Sequence, residues 1–204
     1  MIRVIFRGKD GIDYPIDSLL NLSMGGRLTI LTSAEHEAHE GHAFTTGAAD
    51  ITLADTETLN IAFRTCEHAH KVHLYPEFTT LVGGYCDLLE APTWDTGSGV
   101  LTNIINRKRS RTPIQSDLEQ DDSATPVFVK TNQVLTNVDN LAGGTILCRR
   151  YAWGEKGKVE AGGFRAENEF LLREDTQYAV RFTAIGANNT AQIVLNWIEH
   201  GEEE

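Results

Sequence analysis

The chain has 204 residues, 41% apolar and 23% charged, which are ordinary values for a globular protein with one sizeable core. Its net charge of −11 disfavours binding to a nucleic-acid backbone, which requires a basic face. No apolar run in the sequence is long enough to cross a bilayer. The start, MIRVIFRGKD, lacks the apolar core of a signal peptide. We therefore expect synthesis and folding in the cytoplasm, with neither nucleic acid nor membrane as a partner.

Residues 1–45 are predicted to form an N-terminal arm that contains one short helix. The helix is placed within 33–41, because Ser33 can cap its start and Gly41 can end it. A second helical turn is possible at 16–22. The arm is expected to precede the main folded domain rather than to belong to its core.

Strand patterns dominate the rest of the chain. Apolar and polar residues alternate in 59–64, 177–182 and 193–197, which is the period of a half-buried strand. Further strands are predicted at 2–6, 27–32, 71–75, 78–82, 84–89, 99–106, 126–130, 145–153 and 168–173. Many short strands at this spacing predict an all-β fold, an antiparallel β-sandwich of jelly-roll type over residues 46–200.

Turn signals separate the predicted strands. Glycine pairs, which mark turns or bulges, lie at 25–26, 83–84, 143–144 and 162–163. Between the last two strands, Gly186 and Asn188 tolerate positive φ. They therefore predict a hairpin turn between two antiparallel partners.

One stretch, 107–125, departs from the strand pattern. It holds a basic cluster followed by an acidic one, with almost no apolar residue. Connections of this length are often functional arms or disordered loops. Its basic residues are candidates for binding an acidic surface of a partner protein, and they are Arg107, Lys108, Arg109 and Arg111. The alternative is a solvated loop whose two halves neutralise one another.

Two histidine clusters raise the question of a metal site. They are His36, His39 and His42, and His68, His70 and His73. The zinc-protease pattern HExxH needs histidines four apart, and the first cluster offers none. A cupin-like site would combine strand histidines of the second cluster with a distant one such as His200. We favour a structural role, in which imidazoles form hydrogen bonds where a helix meets a sheet, and we predict no metal and no cofactor.

The sequence contains no nucleophile elbow, phosphate-binding loop or dinucleotide-binding glycine pattern. We therefore predict that the protein is not an enzyme and has no catalytic residues. Its three cysteines, Cys66, Cys86 and Cys148, form no CxxC pair. In a reducing compartment they are expected to be small buried residues. The alternative is oxidative cross-linking once the protein has left that compartment.

Aromatic residues offer a second kind of binding site. A sugar-binding platform would form if several of them were exposed, namely Trp94, Trp153, Trp197, Tyr85 and Tyr151. Most lie on apolar strand faces, so we expect them in the core. Asp95 follows Trp94 in a turn, where its carboxylate can coordinate calcium or, as we prefer, stabilise the turn by a hydrogen bond.

Several stretches resemble virion structural proteins of tailed bacteriophages. They are EHEAHEGHAF (35–44), AFRT (62–65), EAPTWDTGSGVLTNIINRKRS (90–110), and ENEFLLREDTQYAVRFTAIG with LNWIEH (167–200). In that family the histidine-rich stretch precedes a β-sandwich, and a tryptophan-aspartate turn leads into a strand followed by an asparagine-arginine pair, here Asn106 and Arg107. This chain departs from the family at Cys66, where proline is expected.

The resemblance implies a non-enzymatic decoration or cement protein that stabilises the phage head. Its partners would be the major capsid protein and copies of itself, in a dimer or trimer on the capsid surface. We expect the arm (1–45) and the charged loop (107–125) to lie across neighbouring capsid subunits. The alternatives are a tail, neck or fibre-base component and, from other classes, a carbohydrate-binding module or a cupin-like metal enzyme.

Overall fold

The computed structural model describes residues 5–7, 13–15, 38, 41–65, 71–108, 116, 118, 134–153, 160–163 and 169–200. The chain forms two compact units, residues 1–32 and 33–204. In the first unit, β1 (Ile5–Arg7) pairs antiparallel with β2 (Asp13–Pro15). The second unit contains the sandwich.

The structure describes twelve strands of the second unit. They are β3 (Ala43–Leu53), β4 (Thr58–Arg64), β5 (Lys71–Thr80), β6 (Gly84–Glu90), β7 (Val100–Leu101), β8 (Ile105–Asn106), β9 (Leu135–Thr136), β10 (Thr145–Ala152), β11 (Glu160–Gly163), β12 (Phe170–Leu171), β13 (Gln177–Ala184) and β14 (Asn189–His200). Sheet I has the order β11-β5-β14-β3-β8, with β12 also paired to β5. Sheet II has the order β10-β6-β13-β4-β9-β7. Their pairings are antiparallel throughout.

The connections between the sheets follow jelly-roll topology. The eight strands that define it are, in chain order, β3, β4, β5, β6, β10, β11, β13 and β14. Sheet I contains the first, eighth, third and sixth of them side by side, and sheet II the second, seventh, fourth and fifth. This double Greek-key order is the jelly roll. The predicted all-β antiparallel sandwich is therefore confirmed.

Large apolar side chains fill the space between the two sheets. Phe78 of β5 meets Phe182 of β13 across the sheets, with ring centroids 5.9 Å apart. Phe44 of β3 stacks on Trp197 of β14 at 5.7 Å. These four side chains are buried and belong to one continuous core cluster. Their alternation along the strands is the physical reason for the periodicity in the sequence.

Tyr178 is a titratable side chain at an inner position, and it makes the stability sensitive to alkaline pH. Its hydroxyl donates to Glu90 Oε2 at 3.0 Å and accepts from the Arg173 amide at 2.9 Å. Burial, followed by the hydrogen bond to Glu90, raises the pKa of Tyr178 to about 12.

We expect the sandwich to lose stability as the pH rises from 10 towards 12. In the unfolded chain a tyrosine ionises near pH 10, whereas folding keeps Tyr178 neutral to about 12. The unfolded state therefore binds fewer protons in this window, so the free energy of unfolding falls. Tyr178→Phe should cost about 1 kcal/mol at neutral pH and make this decline shallower, as measured by urea unfolding at pH 9 and pH 11. An equally steep decline in the variant would contradict this assignment.

Three strand predictions are corrected by the structure. The predicted strands 71–75 and 78–82 are one strand, β5, which runs through Pro76. The predicted strand 99–106 is two short strands, β7 in sheet II and β8 in sheet I. The strand β3, Ala43–Leu53, was not predicted. The predicted strands 27–32 and 126–130 lie outside the described residues.

The predicted hairpin at 186–190 is wrong in its partners. Gly186 and Asn188 do adopt positive φ, 85° and 56°, but the turn carries the chain from β13 in sheet II to β14 in sheet I. Next to it, the buried Asn189 accepts a hydrogen bond from the Thr80 hydroxyl at 2.9 Å. Its amide donates to the Gly83 carbonyl at 2.6 Å. This side chain ties the crossing to the β5–β6 turn.

The charged stretch 107–125 is not one continuous solvated arm, because two of its residues are buried. Leu118 lies in the main core cluster. The hydroxyl of Ser116 donates to Glu199 Oε1 at 2.6 Å and accepts from the Leu118 amide at 3.1 Å. This segment is therefore anchored at its middle to the end of β14.

The predicted helix within 33–41 is described only at Ala38, which is helical, and at Gly41, which has a φ of 98°. The remainder of that stretch and the predicted turn at 16–22 lie outside the described residues.

Candidate functional site

An exposed row of aromatic rings crosses one edge of sheet II. Tyr151 on β10 lies directly opposite Tyr85 on β6, and their ring centroids are 5.7 Å apart. Trp153 follows two residues after Tyr151, with ring planes 5° from parallel and centroids 5.9 Å apart. Tyr151 is 52% exposed and Trp153 is 66% exposed. We call Tyr85, Tyr151 and Trp153 the aromatic row.

A buried carboxylate fixes the position of the row. Asp87, two residues after Tyr85 on the same face of β6, is fully buried. It accepts hydrogen bonds from Arg149 Nε at 2.6 Å and Nη2 at 2.9 Å, and from Arg181 Nη2 at 3.2 Å. The guanidinium carbon of Arg149 lies 4.4 Å from the centre of the Tyr85 ring. Hydrogen bonds with Asp87 and Tyr151 raise the pKa of Arg149 above its usual value, so it stays charged.

Loops cover the opposite end of the same sheet face. Leu89 and Ala179 form a small second core there with Val138, and Trp94 and Leu141 pack against it. Thr93 and Ala142 hold the two covering loops together through a pair of backbone hydrogen bonds of 2.9 Å. The outer face of sheet II is thus covered at one end and exposed at the end that holds the aromatic row.

The opposite side of the sandwich carries an exposed apolar segment. Residues 100–108, which we call the edge segment, pair with β9 of sheet II through β7 and with β3 of sheet I through β8. Three of its apolar side chains are largely exposed: Val100 at 66%, Leu101 at 60% and Ile105 at 48%. Two basic residues, Arg107 and Lys108, follow directly.

Hydrogen bonds hold the edge segment in place along its length. The Thr46 hydroxyl of β3 donates to the Asn103 carbonyl at 2.9 Å. The side-chain amide of Asn106 donates to the Gly41 carbonyl at 2.7 Å. The backbone amide of Arg107 donates to the Ala43 carbonyl at 2.9 Å. The exposed side chains are therefore presented on a fixed backbone.

The basic residues predicted to bind a partner are described only in part. Arg107 is exposed and Lys108 is partly exposed, and both directly follow β8. Arg109 and Arg111 lie outside the described residues. Sequence reasoning identified these charges but not the exposed apolar side chains beside them, because the prediction of a strand over 99–106 does not show which of its side chains are covered.

The histidines are also described only in part, since His36, His39, His68 and His70 lie outside the described residues. His73 lies on the outer face of sheet I, where its Nδ1 contacts Glu169 Oε1. Glu169 also bonds Tyr75, and burial followed by this hydrogen bond raises the pKa of Tyr75 to about 12. The His42 carbonyl accepts from the Glu199 amide at 2.9 Å. Within the described ranges, no group of three or more metal-binding side chains is present.

The turn at Asp95 joins two loops. Asp95 Oδ2 accepts from Asn140 Nδ2 at 2.6 Å, and its carbonyl accepts from the Ser98 hydroxyl at 2.7 Å. A polar cleft of about 540 Å³ lies nearby, and it is lined by Asp50, Glu57, Asn60, Asp139, Arg181 and neighbouring residues. The carboxylate of Asp95 thus holds the 137–141 loop against its own turn.

Two of the cysteines are described, and both are free thiols. Cys86 is buried at an inner position, and Cys148 is partly buried on β10. Burial, and then the nearby Asp87, raises the pKa of the Cys86 thiol well above its usual value. The prediction of a small buried thiol is confirmed for Cys86, whereas Cys66 lies outside the described residues.

Comparisons with known proteins identify no relative from which a function could be transferred. No protein-family model, curated protein or solved structure matches the chain. Within the part of the chain that the structure describes, no helix is long and apolar enough to span a membrane.

Proposed function

We propose that this chain is a non-enzymatic structural protein of a tailed-phage virion. It binds the capsid surface as a decoration or cement protein and stabilises the head. Its partners are the major capsid protein and further copies of itself, and its place of action is the assembled particle. The observation that carries the proposal is the edge segment, an apolar and basic strip held rigidly across both sheets.

The chemistry of the edge segment suits a protein partner. Exposed aliphatic side chains such as Val100, Leu101 and Ile105 gain free energy when a partner covers them. Arg107 adds a charge that an acidic patch on the partner can pair with, and arginine is enriched in protein interfaces. We therefore propose the contact at 100–108 rather than at the middle of the 107–125 loop, where Ser116 and Leu118 are buried.

The rigidity of the edge segment also favours binding. Ordering a loop on association costs free energy that weakens the complex. Here the hydrogen bonds from Thr46 and Asn106 already fix the backbone. Each contact added between neighbouring capsid subunits then stabilises the assembled state by mass action.

The apolar side chains between the two sheets support a binding function rather than a cupin-like metal enzyme. A cupin holds its metal at inner strand positions, whereas the inner positions of β5 and β14 here hold Leu74, Phe78, Ile193 and Trp197. His73, the described histidine of the second cluster, lies on the outer face of β5. The net charge of −11 suits an outer surface, since a lining of the DNA cavity would gain from basic charge.

Weakened attachment of edge-segment variants would test the proposal. We expect the double variant V100S/L101S to bind capsids that lack the protein at least about tenfold less tightly than wild type, because it removes two apolar anchors. Arg107→Glu should weaken binding further at low salt. The matched control is Ile51→Ser, another exposed aliphatic side chain, outside the edge segment. Co-sedimentation at several protein concentrations gives the affinities, and equal affinity in all variants would contradict the proposal.

Copy number separates a head protein from a tail, neck or fibre-base protein. Quantitative mass spectrometry of purified virions should find hundreds of copies if the protein decorates the head. A count of about a dozen or fewer would match the lower symmetry of the tail and neck and would overturn the head assignment. Deletion of 107–125 does not test the capsid contact cleanly, because it also removes Leu118 from the core.

A further inference from the structure

We infer that the aromatic row, Tyr85, Tyr151 and Trp153, is a binding platform for a neutral glycan chain. The row lies at the edge of sheet II formed by β10 and its neighbour β6, whereas the edge segment begins with β7 at the other edge of the same sheet. A chain attached through β7 and β8 would keep the row uncovered. The platform is therefore compatible with the proposed attachment but does not depend on it.

The ring geometry suits sugars. A pyranose has a face of C–H bonds, weakly positive, which attracts the negative face of an aromatic ring. Parallel rings with centroids 5.9 Å apart, as in Tyr151 and Trp153, overlap only in part. Their large exposed fractions show that much ring surface stays open to a ligand.

Polar groups beside the rings suit the rim of hydroxyls around a sugar. The phenol groups of Tyr85 and Tyr151 can both donate and accept. Arg149 has five N–H donors, more than the two that bond Asp87 and the one that bonds Tyr151. Cross-strand pairing of Tyr85 with Tyr151 holds the two phenol groups at a fixed spacing. Successive sugars of one chain can therefore contact neighbouring rings.

The charges favour a neutral polymer over a nucleic acid. Single-stranded DNA also stacks on aromatic rings, but it requires a basic groove along its phosphates. Here Asp87 offsets part of the charge of Arg149 and Arg181, and the chain as a whole has a net charge of −11. The charge of the whole chain disfavours the approach of a polyanion, whereas it does not oppose an uncharged sugar chain.

Binding to immobilised neutral oligosaccharides tests this inference. The probe is an array of glucans, galactans and N-acetylglucosamine oligomers, with oligothymidine as the nucleic-acid arm. Wild type should bind at least one glycan class, and Trp153→Ala and Tyr151→Ala should each weaken binding by between about three- and tenfold. Trp153→Tyr should retain most of the affinity, because it keeps an exposed ring.

The matched control separates this site from the capsid contact. V100S/L101S should bind glycans as wild type does, and Trp153→Ala should bind capsids as wild type does. The exposed position of Trp153 makes its replacement harmless to the fold, which thermal unfolding would verify. Silence across the array, glycan binding unchanged by both alanine variants, or preferred binding to oligothymidine would each overturn the glycan platform, whatever the outcome with capsids.

Discussion

Trp197→Ala is expected to lower the free energy of unfolding by about 4 kcal/mol, a large share of the stability of a typical domain. The indole is buried in the main core and stacks on Phe44. Its Nε1 also donates to Glu199 Oε1 at 2.8 Å. Removing it leaves a cavity and deprives a buried carboxylate of a donor.

Two further variants separate these causes. Trp197→Phe keeps an aromatic ring against Phe44 but lacks the N–H donor, so it should cost about 1 to 2 kcal/mol. Trp153→Ala removes an exposed indole and should stay within about 0.5 kcal/mol of wild type. Urea unfolding followed by circular dichroism gives all three values. A loss below about 1 kcal/mol for Trp197→Ala would show that this side chain is not part of the core.

Arg149→Ala is expected to cost about 3 kcal/mol, because it leaves the buried Asp87 carboxylate with a single arginine. Asp87 accepts three described hydrogen bonds from arginine, and the two shorter ones come from Arg149. The remaining bond, from Arg181, is longer at 3.2 Å. Arg149→Lys should lose less stability, since it keeps the charge but not the two-pronged geometry.

A double variant tests whether the unpaired carboxylate causes the loss. In D87A/R149A the buried charge is absent, so the double variant should be more stable than Arg149→Ala alone. The measurement is the urea midpoint of the four proteins in the cycle. Equal midpoints for the single and double variants would mean that Arg149 contributes through packing on Tyr85 instead.

Strands with regular alternation were predictable, because their side chains report which face is buried. Leu59, Ile61 and Phe63 of β4 all lie in the core, as the sequence pattern requires. In contrast, β3 contains Gly47, Ala48 and Ala49, which give no such signal. Its strand conformation comes from pairing with β14 over nine residue pairs, a tertiary effect that local propensity does not contain.

The aromatic row was misassigned to the core for a related reason. Alternation places Tyr85 and Tyr151 on one face of their strands, but it does not show whether loops cover that face. Trp94 is covered and Trp153 is exposed, although both are tryptophans next to predicted strands. The available signal was the spacing of Tyr151 and Trp153 beside two arginines, a composition typical of binding surfaces.

The edge segment illustrates what charge alone reveals. Arg107 and Lys108 stood out in the sequence, whereas the exposure of Val100 and Leu101 depends on which neighbours β7 has. Because β7 pairs only with β9 among the described strands, one side of it lacks a strand partner. This unpaired edge follows from the strand order of the sheet and could not be predicted from the residues of β7 alone.

The position of β14 has a consequence for how the protein is made. This strand, the last of the sandwich along the chain, lies between β3 and β5 at the centre of sheet I. Until residues 189–200 have left the ribosome, β3 and β5 have no common neighbour to join them. Such distant pairings fold slowly. The nascent chain would therefore expose unpaired strand edges while residues 54–188 are made, and it should depend on holding chaperones more than a helical domain does.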